Sequence, residues 1–140
     1  MKLKVFVGRP VFEEVLDSLR LHFEVTDNQA DALFSPSELA AKLQGQAGAI
    51  TTGTERIDAA LLAACPDLKV VANMAVGYNN FDVPAMTAAG VQATNTPDVL
   101  TETTADFGFA LLMATARRIT ESEHYVRAGL WKNWRYDMFA

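Results

Sequence analysis

The chain has 140 residues, 50% of them hydrophobic, and sets 12 Lys and Arg against 17 Asp and Glu, for a formal net charge of −5. That length allows one main domain with a well-buried core, and the acidic balance, with a pI near 4.9, argues against a nucleic-acid backbone or an anionic membrane as partner. A single cysteine, Cys65, excludes an internal disulfide and suits a reducing cytoplasm.

Short strand-like runs alternate with helical ones through the first hundred residues. Leu3–Val7 is apolar except for Lys4 and closes at Gly8-Arg9; it is too short for a signal-peptide core and reads as a first strand. A helix over Val11–Leu21 comes next, with Pro10 suited to its first turn. Then come a strand over Phe23–Thr26, a helix over Pro36–Leu43 opened by Pro36, and a strand over Ala49–Thr51. Ile57–Ala64 reads as a helix and Leu68–Ala72 as a strand. Val83–Ala89 is a helix with Asp82 as N-cap and Gly90 at its end, and Val91–Thr94 is a fifth strand. Five βα alternations with little hairpin chemistry imply an α/β fold, a parallel sheet covered on both faces. Right-handed crossovers then give a flavodoxin-like, doubly wound arrangement.

After Thr101 the pattern changes. Thr101 or Thr103 is placed to cap one long helix running through Phe107, Leu111, Met113 and Ile119 toward Arg127. From Phe107 to Ala116 it is apolar around its whole circumference, whereas a surface helix needs one stripe, so cover on more than one side is expected. That run is about half the length of a membrane-spanning helix, so no membrane is expected as partner and the protein reads as cytoplasmic. Beyond it, Trp131, Trp134, Tyr136 and Phe139 crowd into a short aromatic segment of the kind that marks a contact site.

The loop after the fourth strand concentrates the chemistry. Val76-Gly77 succeeds an apolar run, and glycine there allows a backbone to come close to a ligand. Two readings compete: amides left unpaired where the strand ends bind a carboxylate as a small anion nest, or the loop is an ordinary turn needing glycine for its angles. Thr104, in the first turn of the long helix, has a hydroxyl suited to a phosphate or ribose, against the plainer reading that Thr101, Thr103 and Thr104 compete to cap that helix. Taken locally, the plainer reading is favoured for both.

Other residues read as structural. His22 lies at a helix-to-strand junction, and His124 sits on a polar face near Glu121 and Glu123 with nothing to place a pocket there. Cys65 precedes Pro66 and lacks the cationic surroundings of a nucleophile. Arg9 comes just past the first strand on the same sheet edge as Val76-Gly77, where a solvated loop arginine competes with one facing the crevice. No spacing of His, Cys or carboxylates resembles a metal site. The closest glycine pair is Gly45 and Gly48, so the dinucleotide fingerprint G-x-G-x-x-G does not occur.

Three segments in order carry a family likeness: A-V-G-Y-N-N-F-D from Ala75, N-T-P-D-V-L-T-E-T-T-A-D from Asn95, and R-R-I-T-E-S-E continuing to G-L-W-K-N-W at Trp134. Over essentially its whole length the chain resembles the D-2-hydroxyacid dehydrogenase family, especially its glyoxylate/hydroxypyruvate and 2-ketogluconate reductase branch. The resemblance implies an enzyme of two α/β domains that moves hydride between NADH or NADPH and a small 2-oxo or 2-hydroxy acid. It tips both contests toward binding. Val76 and Gly77 would hold the substrate carboxylate through their amides, Thr104 would touch the cofactor, and Leu100 would lie near the nicotinamide. Trp134 would reach into the partner subunit's active site in a homodimer formed through residues 101–140, while Asn80 and Asp82 would order the loop and cap its helix.

By the same resemblance, the Rossmann domain, the catalytic arginine, glutamate and histidine, and a helix that returns to complete the first domain all lie beyond residue 140. The expected organisation is a substrate-binding domain over 1–100, an interdomain helix over 101–128 and an aromatic tail over 129–140, with no turnover by these residues alone. A non-enzymatic binding or regulatory protein on the same fold is the alternative. A phospho-receiver is disfavoured because Gly8-Arg9-Pro10 stands where receivers carry an acidic pair.

Overall fold

The apolar runs sort into strands and the capped runs into helices in the computed structural model, which describes residues 1–136; Phe139 of the aromatic segment lies outside the described residues. The chain divides into two units, Met1–Asp98 and Val99–Ala140. In the first unit β1 (Lys4–Val7), α1 (Glu13–His22), β2 (Glu24–Asp27), α2 (Pro36–Leu43), β3 (Gly48–Thr51), α3 (Ala59–Ala64), β4 (Val70–Asn73), α4 (Val83–Ala88) and β5 (Gln92–Thr94) alternate strictly. All four strand pairings are parallel, in the order β2-β1-β3-β4-β5. This is the flavodoxin-like, doubly wound order.

The register explains the core. Phe6, Ala49 and Val71 stand side by side across β1, β3 and β4. They pack with Leu39 and Leu43 of α2, Leu61 and Leu62 of α3 and Met86 of α4 in one buried cluster. Three helices thus share one face. Leu43 is fully enclosed there, and cutting it back to alanine would cost about 2–5 kcal/mol. On the other face α1 contributes one buried residue, Leu16, and β1 contributes buried Val5 and Val7. Cover is therefore uneven: a groove of about 650 Å³ remains, walled by Leu3, Val5, Leu19, Phe23, Ile50 and Val70 among others.

Local signals set most helix ends. Ser35 and Glu38 form a reciprocal capping box before Pro36. Asp58 and Asp82 accept the Leu61 and Ala85 amides at 3.1 and 3.0 Å, and Gly90 ends α4 in the left-handed region with φ 68°. Two helices start later than the sequence pattern predicts. Val11 is held outside α1 because Gln29 takes both of its backbone groups, each at 2.9 Å; Pro10 therefore precedes the helix instead of opening it. Ile57 is drawn into a parallel bridge with Phe81, donating to Asn80 O and accepting from the Asp82 amide, both at 2.9 Å.

In the second unit the single long helix expected over 101–127 is two, α5 (Thr101–Ala116) and α6 (Ile119–Arg127). Arg118 takes a left-handed conformation, φ 50°, a cost for any residue with a Cβ. Its guanidinium binds Glu121 in the first turn of α6 with two bonds, 2.8 and 2.6 Å, that offset this. Neither Thr101 nor Thr103 caps α5; Leu100 occupies the N-cap without a side-chain bond. No residue of α5 is buried, and Phe107, Phe109, Leu111, Leu112 and Met113 are all exposed. Among the described residues no helix is long and apolar enough to cross a membrane.

Candidate functional site

β4 ends at Asn73, and its polar side chain, only 2% exposed, organises the loop that leaves the strand. Asn73 Oδ1 accepts from the buried Thr51 hydroxyl of the neighbouring strand at 3.1 Å. Its Nδ2 donates to Gly77 O at 2.9 Å and to Asn80 Oδ1 at 3.2 Å. Asn80 in turn donates to the carbonyls of Thr52 and Glu55, at 2.9 and 2.8 Å, tying the loop after β4 to the loop after β3. Glu55 accepts the Thr52 amide at 2.7 Å and its hydroxyl at 3.0 Å, so the second loop is internally closed. Two loops at the carboxyl edge of the sheet, where open α/β sheets bind ligands, are thereby held as one piece.

Within this frame the carbonyls of residues 75–77 are all engaged. Ala75 O accepts the Thr96 amide at 3.0 Å, Val76 O accepts Asn95 Nδ2 at 2.9 Å, and Gly77 O accepts Asn73 Nδ2. The amides are not: among the described residues, nothing accepts from the N–H groups of Val76 or Gly77. Both residues are exposed, and their N–H groups are donors without a competing partner among the described residues. Such adjacent main-chain donors suit a small anion.

Gly77 has no internal reason to be glycine. Its φ lies outside the left-handed range, and a Cβ built there meets no atom within 4 Å. The turn-angle explanation for this glycine is therefore not what the backbone shows. Beside the loop a shallow cavity of about 310 Å³ is lined by Tyr78, Phe81, Val83, Ala93, Thr94 and Asn95.

Leu100 and Thr104 belong to the second unit and share the first turn of α5, where the Thr104 amide bonds to Leu100 O at 2.9 Å. Trp134 is also in that unit, 83% exposed, its ring edge-on to Trp131 with centroids 4.9 Å apart. Arg9 is engaged by Asp31 at 2.9 Å. His22 lies edge-on to Phe23, and His124 Nδ1 lies 2.8 Å from Thr120 O. Cys65 is buried, and burial pushes its thiol pKa up, the reverse of what a nucleophile needs. No cluster of His, Cys, Asp and Glu among the described residues would hold a metal ion.

Sequence reasoning placed Asn80 and Asp82 correctly but gave Asn73 and Asn95 no role. The available signal was an asparagine closing an otherwise apolar strand, V-V-A-N, where a buried carboxamide must find partners.

Known proteins resemble this chain in sequence and in fold. A glyoxylate reductase of Thermococcus kodakarensis is 44% identical over 132 residues, covering 94% of this chain and 40% of the relative. One from Korarchaeum cryptofilum is 46% identical over the same shares. The chain thus spans about two fifths of the length of the curated relatives it matches. Among solved structures, a Thermus thermophilus protein superposes with a TM-score of 0.86 at 38% identity, over 99% of this chain and 44% of that one. The NADPH-dependent glyoxylate/hydroxypyruvate reductase of Sinorhizobium meliloti, in complex with NADP and malonate, gives 0.75 at 31%, over 94% and 40%. Residues 5–128 match the family described as D-isomer specific 2-hydroxyacid dehydrogenase, catalytic domain, and the chain belongs to that family.

Proposed function

We propose that this chain is the substrate-binding part of an oxidoreductase that transfers hydride between NADH or NADPH and a small 2-oxo acid of the glyoxylate or hydroxypyruvate type. The observation that carries the reading is the pair of unpartnered amides at Val76 and Gly77 on a loop whose carbonyls are all engaged. Held this way, the two N–H groups would grip the substrate carboxylate and leave its keto carbon free to face the cofactor, a positioning contribution to catalysis. The nicotinamide would supply the hydride chemistry.

For the cofactor these residues offer only an edge contact. No side chain caps the start of α5, which suits Thr104 touching a phosphate or ribose, and exposed Leu100 would lie against the nicotinamide. In the proposed enzyme the main cofactor grip and the arginine, glutamate and histidine of the reaction would come from outside these residues. The exposed apolar surface of α5 and the Trp131–Trp134 pair support a homodimer through 101–140, with Trp134 entering the partner's site. Sedimentation of the chain should show dimers that Leu112→Glu dissociates.

The test is a titration of the isotopically labelled chain with glyoxylate, read at each backbone amide. Shifts centred on Val76 and Gly77 are the expected result; shifts elsewhere with these two unmoved would refute the carboxylate grip. Oxidation of NADH or NADPH by these 140 residues with glyoxylate would refute the division of labour.

A further inference from the structure

The carbonyl anchors of the 75–77 loop do more than hold it in place. Among the described residues no peptide bond is cis, and in a planar trans peptide the C=O and N–H point in opposite directions. Anchoring Ala75 O on the Thr96 amide therefore aims the Val76 N–H away from Thr96. Anchoring Val76 O on Asn95 Nδ2 aims the Gly77 N–H away from Asn95 in the same manner. Both directions are set by two consecutive residues just past β5, whose register against β4 places them.

The two anchors are not equivalent. Thr96 uses its main chain, which any residue but proline could replace. Asn95 uses a side-chain N–H, which its isostere aspartate lacks. The peptide it holds is also the one most free to turn over, because glycine on its C-terminal side accepts φ of either sign. The glycine that admits a ligand close to the backbone also lets that peptide flip, and the carboxamide removes this freedom.

We infer that Asn95 is a positioning residue for the anion seat, keeping the Val76–Gly77 peptide in the orientation that presents the Gly77 N–H to a carboxylate. This rests on the proposal that the loop grips a carboxylate. Asn95 touches no substrate; it acts through the peptide plane.

The test compares the unmodified chain with Asn95→Ala and Asn95→Asp, each labelled for amide detection and titrated with sodium glyoxylate, with sodium chloride at equal ionic strength as reference. Without ligand, the Gly77 amide resonance should move in both variants while that of Val76 stays. With glyoxylate, affinity should fall about ten-fold, with the response lost at Gly77 and kept at Val76, which still has its Thr96 anchor. A residue that merely stabilised the fold would affect both amides or neither. The uncharged Asn95→Ala separates loss of the clamp from the anion repulsion that Asn95→Asp adds. An unmoved Gly77 resonance with affinity within two-fold of the unmodified chain would overturn the positioning role. If glyoxylate moves neither amide in the unmodified chain, the carboxylate reading falls, and the ligand-free Gly77 resonance still decides whether Asn95 sets the peptide.

Discussion

Gly77→Ala separates the demands of the fold from those of the proposed site. The added Cβ meets no atom within 4 Å, and the φ of Gly77 lies outside the left-handed range, so the backbone already suits alanine. Gly77 N–H has no internal acceptor to lose, and its carbonyl keeps the Asn73 bond. The folded state is therefore unperturbed, while the unfolded chain loses glycine's extra freedom. The variant should be more stable by roughly 0.4–1 kcal/mol, or about 2–8 °C in Tm for a unit of this size. Function should move the other way. A methyl beside the amide enters the space a carboxylate needs, and crowding of that kind costs about 1–3 kcal/mol, roughly a five- to 150-fold loss of glyoxylate affinity. Urea unfolding monitored by circular dichroism gives the first quantity, and amide shifts under titration give the second. Loss of stability would show that the loop has an internal need for glycine. Unchanged stability with unchanged binding would refute the claim that this glycine serves a ligand.

Contacts elsewhere in the first unit set further outcomes. Asn73→Ala strands the fully buried Thr51 hydroxyl and frees Gly77 O and Asn80. It should cost roughly 2–4 kcal/mol in urea unfolding. Adding Thr51→Val should recover about 1 kcal/mol, and strictly additive effects would argue against the pair. Ser35→Ala should cost about 1 kcal/mol through loss of the α2 cap. The Ser35 hydroxyl and amide hold the Glu38 carboxyl below its ordinary range; a carboxyl lowered by folding contributes stability above its unfolded pKa and loses it as pH falls through the folded one. The stability gap between the unmodified chain and Glu38→Gln should therefore close on acidification, as paired urea titrations at neutral and acid pH would show. Finally, the Cys65 thiol, raised by burial and lying 3.5 Å from Ala40 O, should react with Ellman's reagent only as the chain unfolds. Rapid labelling in native buffer would contradict its enclosure.

Much of the architecture was legible because it rests on local chemistry. Pro36, Asp82 and Gly90 sit where a first turn, an N-cap and a helix end need them, and the apolar runs that became β1, β3 and β4 read as strands before any partner was known. The misjudged boundaries have non-local causes. Val11 leaves the helical pattern because Gln29 captures its backbone from 18 residues away, and Ile57 leaves it because the loop at Asn80 and Asp82 claims it. The break at Arg118 carries neither glycine nor proline. It is made by a left-handed arginine and its bonds to Glu121, which no propensity foretells.

The site divides along the same line. Glycine after an apolar strand marked residues 76 and 77, because backbone access is a property of the residue type. Which way their amides face depends on where Asn73, Asn95 and Thr96 arrive in space, and Asn95 reaches Val76 across 19 residues. A carboxamide looks the same in the sequence whether it is solvated or clamps a peptide. By itself the sequence determined the alternation of elements, the doubly wound arrangement that follows from it, the caps and the glycine; the aim of two N–H groups was decided only when parallel pairing brought the ends of β3, β4 and β5 side by side.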